Sequence, residues 1–147
     1  MKDLYSKLSI VQAVAPVNVL DNTVPAAVEV DLANYNSALL AISCGAKGAG
    51  DTGTITLKLE HADESATPGT AGSYANVAAA DVLGATPSSG IILTLSGGAV
   101  AAAVYKIGYV GGKRHIKLTL AEANANSTGT IMAINVIKGH PLDAPAA

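Results

Sequence analysis

The chain has no phenylalanine, no tryptophan, one cysteine and five tyrosines among 147 residues. Without large rings, each core position buries little area, and burial is worth on the order of 25 cal/mol per Å². An isolated monomer built from 28 alanines and 15 glycines is therefore expected to be modestly stable. Association between copies is expected to supply the missing burial, in a homotrimer. The same absence disfavours a carbohydrate-binding sandwich, whose sites stack sugars on aromatics. A lone Cys44 excludes an internal disulfide and, following the run Ala38 to Ser43, reads as a small buried hydrophobe. Charge is scarce too, with a net of −2, which excludes the basic domain that nucleic acid would ask for. Long apolar runs are missing: Val82 to Tyr105 is uncharged, but Pro87, Ser88, Ser89, Thr94, Ser96 and Gly97-Gly98 interrupt it, so no membrane span is expected. At the N-terminus, Lys2 and Lys7 with Leu8 to Val14 imitate a signal peptide, but Asp3, Gln12 and Pro16 argue against secretion.

What remains is a β pattern. Val28, Val30 and Leu32 alternate with Glu29 and Asp31, and Ile55, Leu57 and Leu59 alternate with Thr54, Thr56, Lys58 and Glu60, each pattern giving a strand with one wet face. Ala38 to Cys44 lacks that alternation and reads as buried on both sides. Ser9 to Val14, Tyr74 to Val77, Ile91 to Leu95 and Thr130 to Ile137 add further strands. Turn residues separate them at Asp21-Asn22, Gly48 to Gly53 and Asn124 to Gly129. Alanine favours helix, so Ala75 to Leu83 and Ala99 to Val104 are candidates for short helical turns. The polar stretch from Glu60 to Ser73, with Pro68, Gly69 and Gly72, is a long loop and a candidate contact arm. Residues 1–147 thus form a single domain, an all-β, jelly-roll-like antiparallel sandwich of eight or nine short strands, with a short flexible N-terminal segment and a C-terminal tail.

The segment from Tyr105 to Leu120 reads as a hairpin. Gly111 and Gly112 supply the positive φ that both central positions of a type I′ turn require. The register then sets Val110 opposite Lys113 beside the turn, and Tyr109 opposite Arg114, Ile107 opposite Ile116 and Tyr105 opposite Leu118 on one face, which reads as the apolar one. The other face sets Lys106 opposite Lys117 and Gly108 opposite His115. Residues 1–104 carry four Lys against nine acids, whereas residues 105–147 carry five Lys or Arg against two, so positive charge gathers around this segment.

No motif predicts catalysis, a metal or a cofactor. Asp51-Thr52-Gly53 has the letters of an aspartic protease triplet, but it precedes its strand instead of following one and reads as a turn. Gly48, Gly50 and Gly53 satisfy G-x-G-x-x-G, but a phosphate cradle should open a helix and would not welcome Asp51 at its centre. His61 and Asp63 lack a third metal ligand, and neither His115 nor His140 stands at a triad spacing. Asn126-Ser127-Thr128 is a glycosylation sequon that matters only in a secretory pathway.

The block Leu59-Glu60-His61-Ala62-Asp63, the run from Gly108 to Ile116 and the ending Gly139-His140-Pro141 together resemble small proteins encoded among tailed-bacteriophage head genes. His115 stands where that group leads one to expect an aromatic such as Tyr. The resemblance implies a non-enzymatic virion structural protein made in the bacterial host cytoplasm. It would be a capsid decoration or cement protein that binds the major capsid protein on the outer head surface and acts as an oligomer. A tail-tube, head-completion or spike-base protein is the alternative. On this reading Lys106, Lys113, Arg114 and Lys117 are the candidate capsid contacts, steering the protein to acidic patches on the shell. Lysines that merely keep a sheet edge soluble are the competing explanation.

Overall fold

The computed structural model describes residues 4–20, 23–124 and 127–143. The expected Asp21-Asn22 turn, Asn126 of the sequon, the first three residues and the tail from Ala144 lie outside them. Ten strands, against the eight or nine short ones expected, follow in order: β1 (Leu8–Val19), β2 (Val28–Asp31), β3 (Tyr35–Cys44), β4 (Thr54–Ala62), β5 (Ala75–Asn76), β6 (Val82–Leu83), β7 (Ile91–Leu95), β8 (Ala103–Tyr109), β9 (His115–Ala123) and β10 (Thr130–Pro141), the extra one being β6 in the stretch that reads as helical.

Their pairing is nested. β1 pairs β10, β2 pairs β9, β3 pairs β8 and β4 pairs β7, all antiparallel, as if one long hairpin had been rolled up on itself. That winding is the jelly roll. The first sheet runs β1-β10-β3-β8-β6, and the second runs β2-β9-β4, with β7 and β5 sharing the far flank of β4. Between the sheets lies one core, with Leu40, Ile42, Ile134 and Val136 from the first sheet and Leu57, Leu59, Ile116 and Leu118 from the second among its most buried members. Leu, Ile and Val fill the space that rings would otherwise occupy, and Tyr109 is the one aromatic wholly inside among the described residues.

Local chemistry explains the corners. The β2 to β3 turn is closed by Asp31, whose Oδ1 accepts from the Ala33 amide at 2.8 Å, while Asn34 takes the left-handed backbone (φ 68°) that asparagine tolerates. β1 bends at register shifts between Gln12 and Val17, around Pro16, which has no N–H to give a ladder. The alanine-rich stretch expected to turn helically does so only at Ala79–Asp81; residues 101 and 102 are irregular and β8 begins at Ala103.

The expected hairpin is overturned. β8 belongs to the first sheet and β9 to the second, and residues 110–114 carry the chain across from one to the other. Neither Gly111 nor Gly112 has a left-handed φ, so there is no type I′ turn. The reason is that each strand finds a longer mate elsewhere: β8 pairs with β3 along its whole length and β9 likewise with β4. Five intervening residues are enough to cross the ~10 Å between packed sheets. Gly111 is needed for a different reason, because a Cβ there would stand 2.7 Å from the Tyr109 ring.

β3 corrects a second expectation. Its inward residues Ala38, Leu40, Ile42 and Cys44 are buried, but Leu39 and Ala41 are only half-buried and Ser43 is exposed, so the strand is covered on one side alone.

Candidate functional site

Because β8 and β9 lie in different sheets, the four basic residues do not share a face. Lys106 stands on the outer face of the first sheet opposite Ala41, and among the described residues no acid pairs with it. Lys117 stands on the outer face of the second sheet, between Glu29 on β2 and Glu60 on β4. Its Nζ lies 3.0 Å from Glu60 Oε2 and 4.1 Å from the centre of the Tyr74 ring. Lys58 binds the other Glu60 oxygen at 2.9 Å, and the two lysines, Lys58 first, hold the Glu60 carboxyl below its ordinary pKa against the opposing effect of burial.

Lys113 and Arg114 sit at one end of the sandwich, in the crossing segment, beside the loop from Asp63 to Tyr74. Arg114 grips Asp31 with two parallel hydrogen bonds, Nε to Oδ1 at 2.8 Å and Nη2 to Oδ2 at 2.7 Å, and its Nη1 reaches Glu64 Oε1 at 2.6 Å. Those bonds hold the Asp31 carboxyl down at about 2, with burial opposing, and raise the Arg114 pKa. Lys113 pairs with Asp63. Behind them Tyr109 anchors the crossing: its hydroxyl accepts from the Lys113 amide at 3.2 Å and meets His61 Nδ1 at 3.1 Å, and burial pushes its pKa up to about 12. Three of the four sequence-selected cations are thus spoken for by acids.

The other motifs resolve into structural ties. At the opposite end Asp51 is fully buried, and its Oδ1 accepts from the Thr128 amide at 3.0 Å and the Ser127 hydroxyl at 3.3 Å, joining the loop before β4 to the loop before β10. Lys47, 2% exposed, donates to the carbonyls of Gly53 and Gly97. A buried lysine in a Gly-rich loop has no sequence signature apart from the loop itself, so spacing alone does not reveal Lys47. His61 faces inward to Tyr109 while Asp63 is exposed, so the two do not form a ligand pair. Among the described residues, no three His, Cys, Asp or Glu side chains gather as a metal site would require. His140 Nδ1 meets Ser37 Oγ at 2.7 Å. No helix among the described residues is long and apolar enough to cross a membrane.

The surface that sequence reasoning missed is the outer face of the first sheet. Ile10 on β1, Ile137 on β10, Leu39 on β3, Gly108 on β8 and Leu83 on β6 are in register, so one apolar row crosses all five strands. The next row reads Gln12, Asn135, Ala41, Lys106, and the one after it Ala133, Ser43, Val104. Ile10 is 66% exposed, Val104 72%, Leu83 60% and Ile131 61%. A cavity of about 390 Å³ opens where Gly108 leaves a gap, bounded by Leu39, Leu83, Gly84 and Lys106. The available signal was the run Ala38 to Cys44 together with Ile131 to Ile137, both apolar at successive positions, apart from Ser43 and Asn135, where a wet outer face would alternate.

The chain matches no family model, no curated protein and no solved structure.

Proposed function

We propose that the protein is a non-enzymatic component of a tailed-bacteriophage particle, a decoration protein that coats the outer surface of the head and stabilises it as an oligomer bound to the major capsid protein. The observation that supports a role by surface contact and association is the jelly-roll sandwich with an uncovered, largely apolar outer face. The resemblance of the Leu59 to Asp63, Gly108 to Ile116 and Gly139 to Pro141 segments to proteins of phage head genes adds to it. The fold alone hosts many functions, so the assignment to a particle rests on that resemblance. An oligomer is well suited to coating a shell, because once one subunit is seated the others bind intramolecularly, and avidity rises by roughly 10²- to 10⁴-fold without new contacts.

Attachment to the shell is assigned to the end that carries Lys113, Arg114, Asp63 and Glu64, where charges of both signs are exposed or half-exposed. Lys106 and Lys117, on opposite outer faces, cannot join the same contact. Purified protein is to be added to particles stripped of it, and the rebound particles imaged. Copies distributed over the head are expected, with loading slowed by Lys113→Glu at low salt more than at high salt. A ring at a single vertex would replace this reading with a tail or head-completion role, and failure to bind any part of the particle would overturn both.

A further inference from the structure

We infer that the outer face of the first sheet pairs with the same face of a second copy about a two-fold axis lying along β3, a dimer in place of the homotrimer expected from composition. This holds for the isolated chain, whether or not the protein coats a particle.

β3 and β10 carry apolar side chains outward as well as inward, Leu39 and Ala41 on the one and Ile131, Ala133 and Ile137 on the other, with only the uncharged Ser43 and Asn135 among them, yet the fold covers only the inner face. The face they leave open has one formal charge, Lys106, among the residues of its three rows. A second copy is the partner that offers the same chemistry.

Its shape fits itself. β3 is the middle strand of five, so rotation about an axis along it sets β10 of one copy over β8 of the other and β1 over β6. In the apolar row Leu39 then meets Leu39, Ile10 meets Leu83, and Ile137 stands over Gly108. The strand flanking the axis on one side carries the knob, and its counterpart on the other side carries the gap bounded by Leu39 and Leu83. In the second row Lys106 lies over Asn135 and the two Lys106 side chains stay apart. The area is sufficient. β10, β3 and β8 supply about seven residues each, β1 about five and β6 two, which at ~4.8 Å by ~3.3 Å per residue gives roughly 450 Å² on each copy and about 900 Å² for the pair, enough for a weak, micromolar interface.

Sedimentation equilibrium on the full chain tests this. The wild type is expected at twice the 14.6 kDa chain mass in the micromolar range. Ile137→Lys brings a cation over the partner's Gly108 gap, beside Lys106, and is expected to weaken pairing at least 100-fold. Adding Lys106→Glu is expected to restore at least tenfold of that, which a general surface effect would not do. Gly108→Leu fills the gap and is expected to weaken pairing in its own right. Thr56→Lys, on the outer face of the other sheet, is expected to leave the mass unchanged, and far-ultraviolet circular dichroism checks that each variant is folded. A wild-type monomer at 100 µM, a trimer, or a dimer indifferent to both Ile137→Lys and Gly108→Leu would overturn the inference. So would a Lys106→Glu change that fails to rescue folded Ile137→Lys.

Discussion

The two sheets bury the same kinds of side chain inward and present opposite chemistry outward. At mid-strand the second sheet shows Glu29, Lys117 and Glu60 side by side across three strands, with Lys58 bound to Glu60 as well. The corresponding row of the first sheet shows Ile10, Ile137, Leu39, Gly108 and Leu83. An outer face that ends in water fills with charges that satisfy one another; one left apolar keeps a driving force for association. The core between the sheets does not record this difference, because its packing depends on the inward positions alone.

That independence gives the largest expected effect. Ile116 is fully buried on β9, and Ile116→Ala is expected to lower unfolding free energy by about 2–5 kcal/mol through lost burial and a residual cavity. Thr119→Ala, on the outer side of the same strand, is expected to change it by no more than about 0.5 kcal/mol. Urea unfolding of both variants checks the pair. Equal losses would mean that the outer face of the second sheet contributes as much as its inner face, and the contrast between faces would fail.

The inward half of the molecule was legible because alternation fixes a face whatever the partner. Val28 and Val30 on β2, and Ile55, Leu57 and Leu59 on β4, point inward or lie against the core as their spacing predicts, and so do Ile107, Ile116 and Leu118, although the last three come from opposite sheets. Partner choice was not legible. Gly111-Gly112 has the letters of a tight turn, and nothing local says that β8 has β3, or β9 has β4, as the better mate. The mispairing carried through to the candidate site: a basic hairpin face became one lysine without an acid, one lysine between two glutamates, and an arginine and a lysine tied to acids at the end of the sandwich. The apolar outer row is assembled from five strands far apart in the chain, so no window of sequence contains it.

A middle-sized effect belongs to the charged end. Arg114 holds the Asp31 carboxyl down at about 2 from an ordinary 3.8, so the folded protein resists protonation there more than the unfolded chain does. This contribution is therefore present above about pH 4 and is lost as pH falls toward 2. Both groups are partly exposed, so water and salt reduce its size. The urea midpoint measured from pH 5 to pH 2 is expected to fall less steeply in Asp31→Asn than in the wild type, whereas Leu39→Ala, on the apolar face, is expected to keep the wild-type slope. Identical acid slopes for the wild type and Asp31→Asn would show that the Asp31 pair adds nothing to acid sensitivity.

The smallest effect compares two lysines that the sequence alone sets face to face. Lys117 is 23% exposed at its side chain, touches Glu60 and covers the Tyr74 ring, so Lys117→Met removes an ion pair and a cation over an aromatic face while keeping the stem. A loss of about 0.5–1 kcal/mol is expected, shrinking in 1 M salt. Lys106 has no acid to lose among the described residues, so Lys106→Met is expected to leave the stability of the monomer within about 0.5 kcal/mol of the wild type. Its effect is expected in association instead, because it removes the only charge from the three rows of the apolar face, and self-pairing is expected to tighten. Thermal unfolding at low protein concentration and sedimentation at high concentration separate the two consequences. If Lys106→Met destabilised the monomer as much as Lys117→Met, the lysine would have a partner within its own chain, and the outer face of the first sheet would be less free than its register implies.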